Sequence, residues 1–261
     1  YYTPYGSLLI GIDAKSVDVQ ETENDIDVKV NYELEVNYEH MADCCITMNI
    51  KSKDAGDFRQ LFSVCIGKAY ANQLAFGAQV VNGQDWFIDL EEGFIQFGQD
   101  KYPMQLLGSE SYVSNTWLWG WANPGDFSPE VLQDALSLQK IGEERNYEEF
   151  TEAEMDLGDL RGGHVFSSIA AMLSGGNTCY YRCPYDGGAA FVLVKDLPDD
   201  VFKPVDLQNF VQGIQQLIQL FEADHRLLVK GWLLQEGVEY REAEGAIVAD
   251  FCSQALEVRF D

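Results

Sequence analysis

The chain has 261 residues, of which 46% are hydrophobic and 13% aromatic, so it can build a sizeable core and is not a disordered chain. Its 43 acidic and 17 basic residues give a formal net charge of −26 at pH 7. Such a surface repels nucleic-acid phosphates and anionic lipid headgroups, which excludes both as partners, and it attracts basic proteins. The length suits one large domain or two small ones.

The sequence predicts a cytoplasmic location. No apolar run reaches the roughly 18 residues of a membrane-spanning helix, and the opening residues YYTPYGS do not resemble a signal peptide. Six cysteines are present, and a chain of this length needs no disulfide staples. Cys65 lies on the apolar stripe of a predicted helix and Cys252 in an apolar predicted strand, so free thiols in a reducing compartment are expected.

The first 50 residues predict a group of antiparallel strands. The run IDVKVNYELEV at 26–36 places apolar residues at every even position and polar or charged residues at every odd one. This period of two is typical of a half-buried strand. The runs SLLIGI and CCITMNI are its expected neighbours.

A helix is predicted next, from a cap at Asp57 to about Ala78, because its apolar residues follow the spacing of one buried face. DWFIDLEEGFIQFG predicts a hairpin, and PMQLLGSES and TWLWGWAN predict two further strands. A second helix is expected to begin with Ser128 as N-cap and Pro129 in its first turn. The acidic stretch GEERNYEEFTEAE follows it.

The second half predicts a short apolar helix in GGHVFSSIAAMLSGG, a hairpin in TCYYRCPYDGGAAFVLVKD and a long amphipathic helix capped by Asp206. Residues 226–260 are predicted to be rich in strands, in the runs RLLVKGWLL, GAIVADF and ALEVRF. The fold class is therefore α+β, with antiparallel sheets and segregated helices, and compatible with two sub-domains. The expected organisation is a β-rich segment at 1–56, a core at 57–200, and a C-terminal helix with strands at 201–261.

Metal and phosphate sites are not expected. His40, His164 and His225 are scattered, and Cys179 with Cys183 has no second pair to complete a zinc site. The three glycine pairs match no phosphate-binding motif, so they are interpreted as turn and helix-end glycines. We therefore expect neither a metal nor a cofactor.

No catalytic set can be identified from the sequence. The run Gly108-Ser109-Glu110-Ser111 lacks the second glycine of a nucleophile elbow, although either serine could meet His164 in space. Carboxylate pairs are too frequent among 43 acidic residues to be informative. The catalytic residues remain unknown at this point.

Three of the five tryptophans lie within five positions, in the run TWLWGWAN. In a strand, Trp117, Trp119 and Trp121 would share one face, with Gly120 on the other face close to a neighbouring element. Such a face is either core, packed under the helix that starts at Asp57, or an aromatic-lined groove. The sequence leaves both interpretations open.

The segment from about residue 58 to 196 resembles an uncharacterised bacterial family, a domain of unknown function. The resemblance is carried by Thr116–Asn123 above all. It is also carried by Phe76-Gly77, Asp85-Trp86 with Asp89, Phe97-Gly98, Gln105–Ser109, and Tyr180–Arg182 with Gly187-Gly188. It implies no activity, cofactor or catalytic residue.

The function expected from the sequence is that of a non-catalytic acidic protein that binds, and thereby neutralises, a basic protein partner. One alternative is a hydrolase with an aromatic-lined pocket and carboxylate chemistry. Another is a structural subunit of a larger assembly. The candidate binding residues are Trp117, Trp119, Trp121, Tyr180, Tyr181, Asp85, Asp89 and Glu110.

Overall fold

A computed structural model describes residues 2–3, 6–7, 9–21, 25–51, 57–125, 127–158, 162–251 and 254–260. The fold is α+β, as predicted. The helices are α1 Phe58–Phe76, α2 Gln133–Arg145, α3 Glu148–Thr151, α4 His164–Leu173, α5 Leu207–Leu220 and α6 His225–Glu236. The strands are β1 Tyr2–Thr3, β2 Gly6–Ser7, β3 Ile10–Glu21, β4 Asp25–Val36, β5 Glu39–Lys51, β6 Trp86–Asp89, β7 Phe94–Phe97, β8 Asp100–Ser111, β9 Thr116–Trp119, β10 Glu154–Asp156, β11 Cys179–Tyr185, β12 Gly188–Val194, β13 Tyr240–Ala243, β14 Ala246–Phe251 and β15 Gln254–Arg259.

The chain forms two compact units, Tyr1–Ala55 and Gly56–Asp261. Residues 201–261, which the sequence analysis separated from residues 57–200, lie in the same unit as those residues. None of the described helices is both long and apolar enough to cross a membrane.

The first unit contains the strands predicted in the first 50 residues. β3, β4 and β5 form an antiparallel sheet in that order, and β1 pairs with β2 in a separate two-stranded sheet. The β4–β5 turn places Asn37 and Tyr38 at positive φ, 53° and 69°, the backbone that two-residue hairpin turns require.

The second unit is built on a seven-stranded antiparallel sheet. Its main order is β10-β9-β8-β12-β11, and the predicted β6–β7 hairpin joins it where β7 pairs with the first residues of β8. The strand β8 therefore pairs with β7, β9 and β12 along its length. A separate three-stranded meander, β13-β14-β15, follows α6.

Helix α1 begins as predicted, because the Asp57 Oδ1 accepts a hydrogen bond from the backbone N–H of Gln60 at 2.9 Å. It packs beside α4 and α6. Its Gln73 side-chain amide donates to the Tyr180 carbonyl at 2.7 Å and accepts from the Tyr180 N–H at 3.3 Å. The helix thereby satisfies backbone groups at the edge strand β11 much as another strand would.

The prediction of a strand in RLLVKGWLL is wrong, because these residues form most of α6. Asp224 caps the helix by accepting from the Leu227 N–H at 2.9 Å, and Gly237 ends it with φ 69°. The buried residues are spaced as on one helix face rather than alternately. They are Leu228, Val229, Gly231, Trp232 and Leu233.

The predicted start of α2 at Ser128 is also wrong, since the helix begins at Gln133. The carbonyls of Glu130 and Val131 accept hydrogen bonds from the Gln105 side chain and the Leu106 N–H of β8. Backbone groups that pair with the sheet are not available for a first helical turn. Cys252, predicted to lie in a strand, falls outside the described residues.

Two close contacts attach α6 to α1. The Lys68 ammonium, nearly buried, lies 3.0 Å from the fully buried Glu236 carboxylate and donates to the carbonyls of Phe202 and Lys203. Near the crossing, an added Cβ on Gly231 would lie 2.5 Å from the Val64 carbonyl oxygen. The helices approach so closely only because residue 231 has no side chain.

Gly231→Ala should lower the free energy of unfolding by about 2 kcal/mol or more, because the new methyl group meets backbone atoms that cannot rotate away. The measurement is urea unfolding followed by tryptophan emission. Gly77→Ala is the matched control, since its Cβ would meet nothing within 4 Å in helical backbone, and it should leave stability unchanged or raise it by up to about 1 kcal/mol. Equal effects of the two substitutions would contradict the close crossing.

Candidate functional site

The tryptophan run forms part of the core. Trp117 and Trp119 share one face of β9, are both 0% exposed, and contact each other edge to face with ring centroids 5.4 Å apart. Phe166 of α4 packs on both indoles at 5.2 and 5.6 Å, and Phe150 of α3 packs on Trp119. The pair therefore offers no open stacking platform.

Trp121 does not continue this face. The strand ends at Trp119, and residues 120–122 form a single turn of 3-10 helix. A Cβ on Gly120 would lie 3.1 Å from the carbonyl oxygens of Leu106 and Leu107, so the backbone approaches β8 closely at this point. Trp121 is half-buried beside the core rather than stacked with the other two indoles.

Glu110 forms the centre of a buried charged cluster on the face of the sheet that carries Trp117. Its Oε1 accepts from the Arg182 Nε at 3.0 Å, and its Oε2 accepts from the Gly163 N–H at 3.0 Å. Gly163 is the N-cap of α4, where the helix dipole favours an anion. The guanidinium of Arg182 also donates to the Tyr112 hydroxyl.

His164 and Tyr180 complete this cluster. The His164 Nδ1 and the Tyr180 hydroxyl are 3.0 Å apart, and both rings pack on Phe191. Burial lowers the pKa of His164; Glu110 acts against this shift and Arg182 adds to it. Burial raises the pKa of Tyr180 to about 12. The cluster therefore holds a neutral imidazole and a neutral phenol beside an ion pair at neutral pH.

The other predicted site residues lie elsewhere. Tyr181 points to the opposite face of β11, where it packs on Phe97 at 4.9 Å and on Trp86. Asp89 accepts hydrogen bonds from the backbone N–H groups of Glu91 and Glu92 and so stabilises the β6–β7 turn. Asp85 is exposed, and its carbonyl accepts from the Gly98 N–H. The structure thus brings together Glu110, Tyr180 and Trp117, and separates them from Tyr181, Asp85 and Asp89.

A cavity of about 650 Å³ lies at the start of α1 and is mainly apolar. Its apolar lining consists of Phe58, Phe62, Val165, Ile218, Leu220 and Phe221, and its polar lining of Arg59, Glu149, Gln219 and Glu222. The volume lies within the usual range of ligand pockets, and a few polar groups in an apolar wall are typical of them.

Glu149 is the residue of the cavity whose pKa its surroundings raise. Burial raises its pKa, a hydrogen bond from its own backbone N–H acts against this shift, and the nearby carboxylates of Glu148 and Asp57 add to it. None of the described groups that shift this pKa is a cation. Arg59, which also lines the cavity, lies 3.8 Å from the Glu222 carboxylate. A cationic group entering the cavity would therefore find a half-buried carboxylate that no described cation shifts.

Neither the cavity nor most of the charged cluster was expected from the sequence. The cavity residues come from α1, α3, α4 and the segment around the end of α5, four places that are distant in the sequence. A hint in the sequence existed only for Glu149, which belongs to the acidic stretch after α2. Arg182 meets Glu110 through the register of β8, β12 and β11, and Gly163 meets it where α4 begins, and sequence spacing reveals neither.

Among the described residues, one group has ligand atoms close enough for a metal ion: Glu33, His40 and Asp43, within 4.8 Å of one another. These side chains lie in the first unit, where His40 and Asp43 are exposed, and Lys15 already pairs with Glu33 at 2.9 Å. Exposure and a competing ammonium both disfavour a metal there, so we assign none.

Two family models match the chain. The model described as a family of unknown function (DUF6882) covers residues 59–197, more than half of the sequence. The chain belongs to this family. The model of a domain of unknown function (DUF1934) matches residues 1–48, so the first unit is similar to that domain. No curated protein and no solved structure matches the chain.

The DUF6882 match spans β6–β12 with α1–α4, and thus includes Glu110, Arg182, His164 and the tryptophan pair. The residues 206–261, with α5 and α6, lie outside it. One wall of the cavity, Ile218 to Glu222, therefore comes from a part of the chain that the family description does not cover.

Tryptophan emission should be blue-shifted and largely protected from acrylamide, because Trp117, Trp119 and Trp232 are at most 1% exposed. Trp119→Phe should raise the quenchable fraction of the remaining emission, since it removes a protected indole. Trp86→Phe is the control and should lower that fraction, because Trp86 is only half-buried. If the tryptophan face were open, Trp119→Phe would lower the quenchable fraction more than Trp86→Phe does.

The stability of the second unit should depend on the protonation of His164. Because the folded pKa is lowered, the unfolded chain takes up the proton first, near pH 6.5. The His164 contribution is therefore complete above about pH 6.5 and is lost as the pH falls below it. Urea unfolding from pH 7.5 to 5 should show a smaller acid loss for His164→Gln than for the unaltered chain.

The matched control is His225→Gln, which changes an exposed histidine at the start of α6. Its pH profile should follow that of the unaltered chain. A profile for His164→Gln that also follows the unaltered chain would mean that His164 is not held neutral by its surroundings.

Proposed function

We propose that the chain is a non-catalytic binding protein that takes a basic protein partner and neutralises it. The observation that carries the proposal is the cavity at the start of α1, which combines an apolar wall with the half-buried carboxylate of Glu149, whose pKa no described cation shifts. A lysine or arginine with an apolar neighbour is the protein chemistry that fits this lining. Its aliphatic part can lie against phenylalanine rings while its charge reaches a carboxylate.

The charge of the chain supports the same partner. A net charge of −26 attracts a basic protein over distances of roughly a Debye length and raises the rate of encounter. Acidic side chains are exposed next to the cavity, where Glu148 and Glu152 flank Glu149 in and after α3. The long-range field would bring the partner to this region, and the cavity would supply the specific contact.

Because the tryptophans are buried, other side chains must make the proposed contact with the partner. In the sequence analysis they were candidate anchors for the interface, but Trp117 and Trp119 are 0% exposed. The exposed and half-buried apolar side chains around the cavity take that role in the proposal, with Ile218 42% exposed at its wall.

The geometry favours binding over carboxylate catalysis at Glu110. Both of its oxygens accept hydrogen bonds, from Arg182 and from the N-terminus of α4. A carboxylate held in this way stabilises the fold and is poorly placed to attack a substrate or transfer a proton.

A bacterial source and a cytoplasmic location belong to the same proposal. The resemblance noted in the sequence supports the first. The second is supported by the described cysteines, Cys44, Cys45, Cys65, Cys179 and Cys183, which are free thiols.

The test uses a short amphipathic peptide of leucine and lysine, titrated into the full chain by calorimetry at low and at physiological salt. Binding should weaken as salt rises. Glu149→Gln should weaken it by roughly tenfold or more, because the peptide loses a desolvated charge partner. Glu152→Gln removes the same charge from an exposed position of the same acidic stretch and should change binding less than about twofold.

A second pair of variants tests the apolar wall at constant charge. Ile218→Gln should weaken binding, whereas Leu234→Gln, which changes an exposed leucine of α6 outside the cavity, should not. Equal effects within either pair, or an affinity that does not respond to salt, would refute the assignment of the partner to this cavity.

A further inference from the structure

The N-terminal sheet has one face that is mainly apolar, with Glu39 at its end beside the β4–β5 turn. Residues directly opposite each other in neighbouring antiparallel strands point to the same side of a sheet. The register of β3, β4 and β5 therefore places one set of side chains together. This apolar face consists of Ile10, Ile12, Ala14, Val17 and Val19 of β3, Val28, Val30, Tyr32, Leu34 and Val36 of β4, and Ala42, Cys44, Ile46 and Met48 of β5.

A bulge in β3 preserves this face. The register of β3 with β4 shifts between Ala14 and Ser16, where Lys15 is the extra residue, and this first shift keeps Val17 and Val19 on the same face as Ala14. A second shift, between Leu34 and Glu35, adds Met41 to β5 and brings Glu39 opposite Val36. Without the first shift, Val17 and Val19 would point to the polar side.

The opposite face is polar and carries the charges. Cross-strand partners there include Asp18 with Lys29 and Glu33 with both Asp13 and Asp43. Lys15 pairs with Asp13 at 2.7 Å and with Glu33 at 2.9 Å. The two faces therefore differ in chemistry, and Glu39 is the one charged residue among the described side chains of the apolar face.

The apolar face is open to solvent. Ile12 is 69% exposed, Val17 59% and Met48 50%, and none of the fourteen residues of the face is buried. The fourteen residues span about nine positions of each strand, which is roughly 30 by 15 Å, or roughly 450 Å². Monomeric proteins rarely leave a continuous apolar patch of that size uncovered.

We propose that this face packs against the same face of a second copy of the chain, so that two three-stranded sheets form a symmetric two-layer sandwich. Two stacked sheets of this kind lie about 10 Å apart with their side chains interdigitated. A two-fold axis brings the same patch from each copy together, so one apolar surface is its own complement.

The size and charge of the face both point to a second copy. Roughly 450 Å² of sheet from each chain is more than half of the roughly 800 Å² that each partner contributes to a standard interface. A basic partner would require several carboxylates on this surface, and among the described side chains only Glu39, opposite Val36 beside the β4–β5 turn, adds one to it. In the sandwich, the charged faces point outward, which limits the repulsion between two chains of net charge −26.

Adjacent cysteines offer an internal probe of this interface. Cys44 lies on the apolar face opposite Tyr32, whereas Cys45 lies on the polar face opposite Asn31 and is exposed. In the variants Cys45→Ser and Cys44→Ser, alkylation of the thiol left at position 44 or 45, located by peptide mapping among the other cysteines, reports one face at a time. Cys44 should become protected as the protein concentration rises, and Cys45 should react at the same rate throughout.

The deciding experiment is sedimentation velocity of the full chain across a range of concentrations, with two matched variants. The unaltered chain should approach twice its mass of 29.4 kDa. Met48→Asp places a charge in the interface and should raise the dimer dissociation constant by roughly 100-fold or more. Thr47→Asp adds the same charge on the polar face, opposite Lys29, and should leave the dimer intact.

The response to salt concentration distinguishes dimerisation through this face from binding of a basic partner. Dimerisation should strengthen as salt rises, because like charges are screened and apolar burial is favoured, whereas binding of the basic peptide should weaken. Three results would overturn the proposal: a monomer at every concentration whose Cys44 reacts freely, a monomer whose Cys44 is protected, or a dimer that survives Met48→Asp. The first would indicate an uncovered face, the second a cover within the chain, and the third an interface elsewhere.

Discussion

The two hydrogen bonds of the Glu110 carboxylate are the interaction on which the second unit depends. They join β8, the strand with the most partners, to β11 through Arg182 and to the N-terminus of α4 through Gly163. Because α4 is held there, Phe166 covers both Trp117 and Trp119. A buried carboxylate with only one of these partners would be costly, so helix, sheet edge and charge are mutually dependent.

Much of the fold could be predicted because its local signals agree. The caps at Asp57 and Asp206, the β6–β7 and β11–β12 hairpins, and the period of two in β4 all predict what the structure contains. RLLVKGWLL was assigned wrongly because a short apolar run suits a strand or a buried helix equally well. Asp224 before it and Gly237 after it were the informative residues, since they supply the two caps of α6.

The candidate site could be predicted only in part. Glu110 and Tyr180 were identified from the sequence, but their partners Arg182, Gly163 and His164 depend on strand register and on where α4 begins. Whether a tryptophan strand is core or surface is decided by what covers it, and the covering residues come from α3 and α4. The cavity is harder still, because no local pattern marks a space between four separate segments.

The Lys68–Glu236 ion pair limits where this chain can be cut into fragments that fold by themselves. The family match ends at residue 197, yet Lys68, which lies inside it, is neutralised by a carboxylate 39 residues beyond that end. A fragment ending at residue 197 would keep a lysine placed for a buried partner and would lose α6, against which α1 packs. In this chain the boundary of sequence similarity is therefore not a boundary of autonomous folding.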